Sequence, residues 1–212
     1  MKYLVLDTES GSRHANSTLL TASFIVFDTD FNFQKKLNMF LKPEEGEHYI
    51  VDAQGMAVNK INLVEHHKLA VTNKQAKPYL FEFLKEHGSN ERLVPVGHAV
   101  KGDIERIVNN LISRGSWEQF CTYHFIDTSV VLQFLRICGL MPMDCDGSIE
   151  ALAAHFNIEH HGPLHVSETD ALITMEVLKA FADLVKYNNI PEKELPLMGH
   201  LATPGPIDLN KL

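Results

Sequence analysis

Cysteine is scarce in this chain. Cys121, Cys138 and Cys145 are the only three, and an odd number without C-x-x-C spacing excludes a disulfide framework and a cysteine zinc site. Long hydrophobic runs are missing as well. None approaches the ~20 residues that cross a bilayer, and Asp7 interrupts the opening stretch MKYLVLDTES too early for a secretory leader. A reducing, cytoplasmic setting with no membrane partner is expected. Positive charge is in deficit, with 19 Lys and Arg against 27 Asp and Glu and a net charge of −8. That disfavours broad, non-specific binding to phosphate backbones. It does not exclude a nucleic-acid enzyme, because carboxylates gathered around divalent cations count as negative until the cations bind. No internal repeat and no low-complexity segment occurs. With 45% hydrophobic and 22% charged residues over 212 positions, the composition is that of one globular domain with a sizeable core, with or without a tail.

Hydrophobic patterning and turn chemistry give the order of elements. Lys2 to Leu6, Leu19 to Asp28 and Phe31 to Leu41 read as three strands, with Thr29-Asp30 as a tight turn, so an antiparallel meander is expected. Lys42 to Gly55 reads as loop, with a helical turn from Ala53. Thr72 is an N-cap for a helix to about His87, whose apolar residues Ala76, Leu80, Phe83 and Leu84 recur at helical spacing. Leu93 to Val96 reads as a strand, and Pro95 places it at an edge or at the strand's end. Asp103 to Arg114 reads as a helix, Tyr123 to Ile126 as a short strand, and Ser129 to Ile137 as a helix. Ser148 caps another helix to about Phe156, and Ser167 opens a long one to about Tyr187. Pro191, Pro196, Pro204 and Pro206 then mark an irregular tail. The predicted class is α/β, a meander followed by α/β crossovers in a mixed sheet with helices on its faces.

Three short motifs carry chemistry. Asp7-Thr8-Glu9 ends the first strand, and residues two apart on a strand share a face. Two carboxylates there repel unless a hard cation sits between them, although taken alone D-x-E is a weak signal and an ordinary solvated strand exit is its simpler account. His98-Ala99-Val100-Lys101-Gly102-Asp103 puts an acid at a helix start, where the helix dipole alone would favour it. His165 and Asp170 stand at the entry to the last helix, where Ser167-x-x-Asp170 looks like a capping box with Asp in place of Glu. His155, His160, His161 and His165 could suggest zinc, but they lack H-E-x-x-H spacing, and Gly162-Pro163 puts the last of them on a loop.

Taken together, D-x-E, then H-x4-D, then H-x4-D resembles the DEDDh family of 3′–5′ exonucleases. Its relatives include proofreading exonuclease subunits, oligoribonuclease and ribonuclease T, and its fold is ribonuclease H-like. The resemblance runs from about residue 2 to about residue 187, implying an exonuclease domain over 1–187 and a tail over 188–212. Ala57 to Ile61 is similar to the family's stretch before its first long helix, and Ile126-Asp127-Thr128 to its strand-ending Asp-Thr. The chain departs from the family pattern at Ala99, where Asn is frequent, and at Gly102, where Phe is frequent. It also has Ser10-Gly11-Ser12 where many relatives have Thr-Thr-Gly.

The resemblance implies phosphodiester hydrolysis from the 3′ end of DNA or RNA, releasing nucleoside 5′-monophosphates with two Mg²⁺ or Mn²⁺ ions. Asp7, Glu9 and Asp170 would hold the cation carrying the attacking water, Asp7 would bridge to the second, and Asp103 would act there through water. His165 would be the general base, since an imidazole titrates near neutral pH. Thr8, Ser10, His98 and Lys101 are candidate substrate contacts, with Arg13 and Lys60 as further phosphate contacts. The expected partner is a single-stranded 3′ end. A homodimer or a polymerase or repair partner stays open, as do RNA against DNA, an endonuclease using the same cations, and a non-catalytic nucleic-acid-binding module on the same fold.

Overall fold

The computed structural model describes residues 1–187 apart from 15, 160 and 161. The proline-containing tail and the two histidines His160 and His161 lie outside the described residues. Six strands form one mixed sheet in the order β4-β3-β2-β1-β5-β6. Strands β1 (Lys2–Ser10), β2 (Leu19–Asp28) and β3 (Phe33–Lys42) make the expected antiparallel meander. Strands β5 (Val94–Gly97) and β6 (Ile126–Asp127) add to β1 in parallel, and β4 (Val71–Thr72) adds to β3 in parallel.

Alternation along the central strands divides the core between the two faces of the sheet. Leu4, Leu6, Ala22 and Phe24 pack toward α3 (Asn73–Gly88), α4 (Val100–Asn110) and α5 (Arg114–Phe120). Val5, Ile25 and Phe27 pack toward Ala171 and Met175 of α8 (Ser167–Tyr187). β2 is buried along nine of its ten residues because both its faces are covered, and each such large apolar side chain contributes about 1.5–3 kcal/mol on burial. Beyond the sheet, α8 joins α6 (Thr128–Ile137) and α7 (Ile149–His155) through Leu132, Leu152, Ile173 and Phe181. Among the described residues no helix is long and apolar enough to cross a membrane.

Several boundaries differ from the sequence reading. β3 starts at Phe33 rather than Phe31. The Asp28 carboxylate accepts the backbone N–H of Asp30 and Asn32, both at 2.9 Å, while Phe31 takes a left-handed φ of 62° and stacks on Phe27. Pro95 belongs to an interior strand, not an edge. It stands opposite Leu4 of β1, while on the other side Leu93 bridges Cys121 and β6 pairs with Val96 and Gly97, leaving Pro95 without a partner there, so its missing N–H breaks no ladder. The helix expected from Asp103 to Arg114 is two helices. α4 begins at Val100 and ends at Asn110, and Ser113 caps α5 by accepting the Ser116 N–H. β6 begins at Ile126, leaving Tyr123 exposed. The predicted helical turn at Ala53 is α1 (Ala53–Asn59), capped by Asp52.

Two elements were not foreseen, α2 (Leu63–Leu69) and β4. The single buried side chain of α2 is His66, whose Nε2 lies 2.8 Å from the Leu41 carbonyl oxygen, while Val64 and Leu69 face solvent. Its hydrophobic pattern is therefore inverted, and no apolar period marks it.

Candidate active site

The parallel strands β1, β5 and β6 end on one side of the sheet, and the motif residues collect around the end of β1. Asp7 and Glu9 share the face with Val5 that packs on α8, while Thr8 shares the opposite face with Leu6, toward α4. The two faces meet at this strand end. Asp103, in the first turn of α4, is buried and accepts the Thr8 hydroxyl at 2.5 Å. Its carboxylate is thus aimed at β1. The backbone of α4 begins at Ala99 in a left-handed conformation, with no side-chain cap, so Asp103 is not there as an ordinary N-cap.

Asp170 approaches from the other face, buried in the first turn of α8. Its Oδ2 accepts the backbone N–H of His165 at 3.1 Å, and His165 itself has a left-handed φ of 61°. A non-glycine residue in that region costs on the order of 1–3 kcal/mol, and the bond to Asp170 helps hold it there. The capping-box reading of Ser167-x-x-Asp170 is not what forms. Ser167 is the first residue of the helix, and its hydroxyl lies 2.8 Å from that of Ser23 on β2. Glu168 pairs with Lys36 and accepts from Asn38 Nδ2 at 2.5 Å, both on β3. These bonds pin the first turn of α8 across the sheet and so fix Asp170 relative to β1.

As a result, Glu9, His165 and Asp170 offer ligand atoms that all lie within 4.8 Å of one another. Asp7 stands beside them with its Oδ2 buried and without a hydrogen-bond partner. Burial, then repulsion by Asp103, Glu9 and Asp170, holds the Asp7 carboxyl well above its usual range. Burial and the neighbouring Asp170 and Asp103 push Glu9 up to about 8. Burial raises Asp103 to about 6 against the opposing pull of the Thr8 hydrogen bond and the Arg106 guanidinium. Crowded, buried acids whose carboxyls are held above their usual range, with the Asp7 Oδ2 left unpartnered, match the demands of a hard divalent cation. Oxygen donors with a single imidazole are a ligand set for such a cation.

The remaining candidates separate. Thr8 and Ser10 line a cavity of about 350 Å³ next to Glu9, together with Arg13, Asn59 and Arg106. The Ser10 hydroxyl donates to the Ser12 carbonyl, and Asn59 Nδ2 donates to the Ser10 carbonyl. His98 has the same spacing to Asp103 as His165 has to Asp170, yet its Nδ1 lies 2.9 Å from the Thr128 hydroxyl. Lys101 is exposed and lines a different groove, with Glu105, Arg114 and Trp117. Lys60 is the exposed left-handed C-cap of α1. His155 is exposed against Phe156; of the two described histidines in that stretch, the metal-capable cluster takes His165 and not His155.

Two residues support the site beyond the candidates named from the sequence: Arg106, which the sequence reading did not single out, and Asp127, known there only as part of the strand-ending Asp-Thr. Arg106 lies 3.6 Å from Asp103 Oδ1, a contact that helical i, i+3 spacing from Asp103 could have suggested. Asp127 accepts the backbone N–H of Ala99 and of Ser129, both at 3.0 Å, so it braces the left-handed turn that launches α4.

No protein-family model and no curated protein matches this sequence, but solved structures share its fold. Exonuclease I of E. coli in complex with a dT13 oligonucleotide superposes with a TM-score of 0.67 at 18% identity, over 88% of this chain and 41% of that one. The zinc-bound form of the E. coli exonuclease I–single-stranded DNA complex gives 0.66 at 19% identity, over 87% and 40%. Exonuclease I from Methylocaldum szegediense gives 0.66 at 18% identity, over 89% and 41%. The chain spans about two fifths of the length of these neighbours. Similarity at this identity establishes the ribonuclease H-like fold expected from the sequence.

Proposed function

We propose that this chain is a cation-dependent nuclease that removes nucleotides from the 3′ end of DNA or RNA, with an exonuclease domain over 1–187. The observation that carries this reading is the convergence of Glu9, His165 and Asp170 within 4.8 Å, beside the unpartnered Asp7 oxygen. The fold shared with exonucleases I, two of them described with single-stranded DNA or a dT13 oligonucleotide, supports a single-stranded end as substrate.

Asp7, Glu9, Asp103 and Asp170 would hold two Mg²⁺ or Mn²⁺ ions. Ions of that kind, when bound, activate water and stabilise the attacking and leaving oxygens of an in-line displacement. His165 takes the proton of the attacking water on its imidazole, which must be neutral to do so. The water oxygen bonds to phosphorus as the bond to the 3′ oxygen of the preceding nucleotide breaks. That oxygen picks up a proton, and a nucleoside 5′-monophosphate leaves. Asp170 positions His165 through the backbone bond, and Thr8 holds Asp103 toward the site.

A gel of a 5′-labelled single strand with Mg²⁺ or Mn²⁺ tests the reading. A ladder shortening from the 3′ end, abolished by EDTA and blocked by a 3′-phosphate, is expected. Cutting of a circular single strand would make the enzyme an endonuclease, and no cutting with either cation would reject hydrolysis.

A further inference from the structure

We propose that Arg106 is a two-position cation: it pairs with Asp103 when the carboxylates hold no metal, and it turns to a substrate phosphate in the adjoining cavity when they do. This rests on the reading of the site as a cation-dependent nuclease.

The geometry points to a side chain that is placed but not locked. The Arg106–Asp103 separation of 3.6 Å is an ion pair beyond good hydrogen-bond length. Asp103 Oδ1 already accepts Thr8 at 2.5 Å, so the guanidinium is not engaged in the two-pronged grip that Arg makes on a carboxylate when it is fixed there. It lies over Gly102, where an added Cβ would stand 3.4 Å from Arg106 Nη1. The side chain is 28% exposed and lines the same cavity as Thr8, Glu9 and Ser10. Arg106 therefore reaches both the acids and the space in which a nucleotide beside Glu9 would sit.

Charge supplies the switch. Arg106 stands 3.6 Å from Asp103 Oδ1 and lines the same cavity as Glu9, so its positive charge partly offsets the bare cluster. Divalent cations on those same carboxylates repel the guanidinium and remove its reason to stay. A phosphate attracts it, and the planar fork of Arg suits two phosphate oxygens at once. Metal and substrate then assist each other: the phosphate draws Arg106 away from the acids, and by linkage whatever binds the strand also tightens the metal.

The test uses Arg106→Gln and Arg106→Lys in the full chain, with two readouts. The first is a titration of Mn²⁺ alone, followed by thermal melting. The second is KM and kcat on a short labelled single strand. Arg106→Gln should bind Mn²⁺ several-fold more tightly, because a competing cation is gone, and should raise KM roughly tenfold or more, as expected for a lost hydrogen bond to a charged group, with a smaller change in kcat. Arg106→Lys keeps the charge but not the fork, so its Mn²⁺ midpoint should match wild type while KM still rises. A purely structural arginine would not divide the two readouts in this way. Wild-type Mn²⁺ affinity in Arg106→Gln, or an unchanged KM in Arg106→Lys, overturns the proposal while leaving the nuclease reading standing. A wild-type protein that neither responds to Mn²⁺ nor cuts removes both.

Discussion

The Thr8 hydroxyl donates to Asp103 at 2.5 Å across 95 positions of sequence. One hydrogen bond thereby couples the α4 face of β1 to the first turn of α4, and it opposes the burial that raises Asp103. Thr8→Val keeps the β-branched shape and deletes the donor. Asp103 should then hold its proton to higher pH. Activity should fall more at about pH 6 than at about pH 8, with a stability loss of roughly 1 kcal/mol. A pH–rate profile whose acidic limb stays in place would show that this bond does not tune the site.

Stability of the metal-free protein should fall as pH rises. Glu9 moves from 4.5 to about 8 in the fold and Asp103 from 3.8 to about 6. The folded state therefore binds more protons than the unfolded state between those limits. The stability this contributes is complete below the unfolded values and is lost as pH climbs through about 6 and then about 8. Mg²⁺ or Mn²⁺ takes the place of those protons, so the gain in Tm on adding cation should be larger at about pH 8 than at about pH 5. Melts in EDTA and in cation across this range check both halves, with Glu9→Gln flattening the upper part of the EDTA curve. A cation effect independent of pH would contradict the site.

Asp7→Asn should separate function from folding. Its Oδ2 is buried and unpartnered among other acids, so the neutral amide removes repulsion and should leave the metal-free Tm equal to or above wild type. The same change deletes a central ligand and should abolish nearly all turnover with Mg²⁺ or Mn²⁺. A stable variant with near-normal turnover would take Asp7 out of the mechanism.

His165→Ala tests whether its imidazole serves as base or as ligand. As a base, its loss should lower kcat by roughly 10²–10⁴-fold with Mn²⁺ affinity close to normal. The ligand atoms of Glu9 and Asp170 lie near enough that a matching loss of Mn²⁺ affinity would instead make it a ligand. His155→Ala, on an exposed side chain next to Phe156, is the control and should change neither quantity. Single-turnover rates with parallel Mn²⁺ titrations distinguish the outcomes.

Much of this protein was legible along the chain because the governing interactions are local. The run LLTASFIVFD marked β2 end for end, Thr72 announced the start of α3 as its N-cap, and Ser167 marked the start of α8. The D-x-E, H-x4-D, H-x4-D series named the acids that gather at the end of β1. What the chain alone could not decide depends on partners far away in sequence. The two His-x4-Asp motifs have identical spacing, yet His165 sits with Glu9 and Asp170 while His98 turns to Thr128. α2 stayed hidden because it buries a histidine against the Leu41 carbonyl and exposes its apolar residues. Pro95 suggested an edge or the strand's end but lies within an interior strand, at a point where β6 has no residue opposite it. Arg106 became part of the site only when α4 packed beside β1. Local propensity and alternation set which residues are helical, extended or inward-facing; which charges meet was decided by how α4 and α8 close on opposite faces of one strand end, since Coulomb and hydrogen-bond energies act through space rather than along the chain.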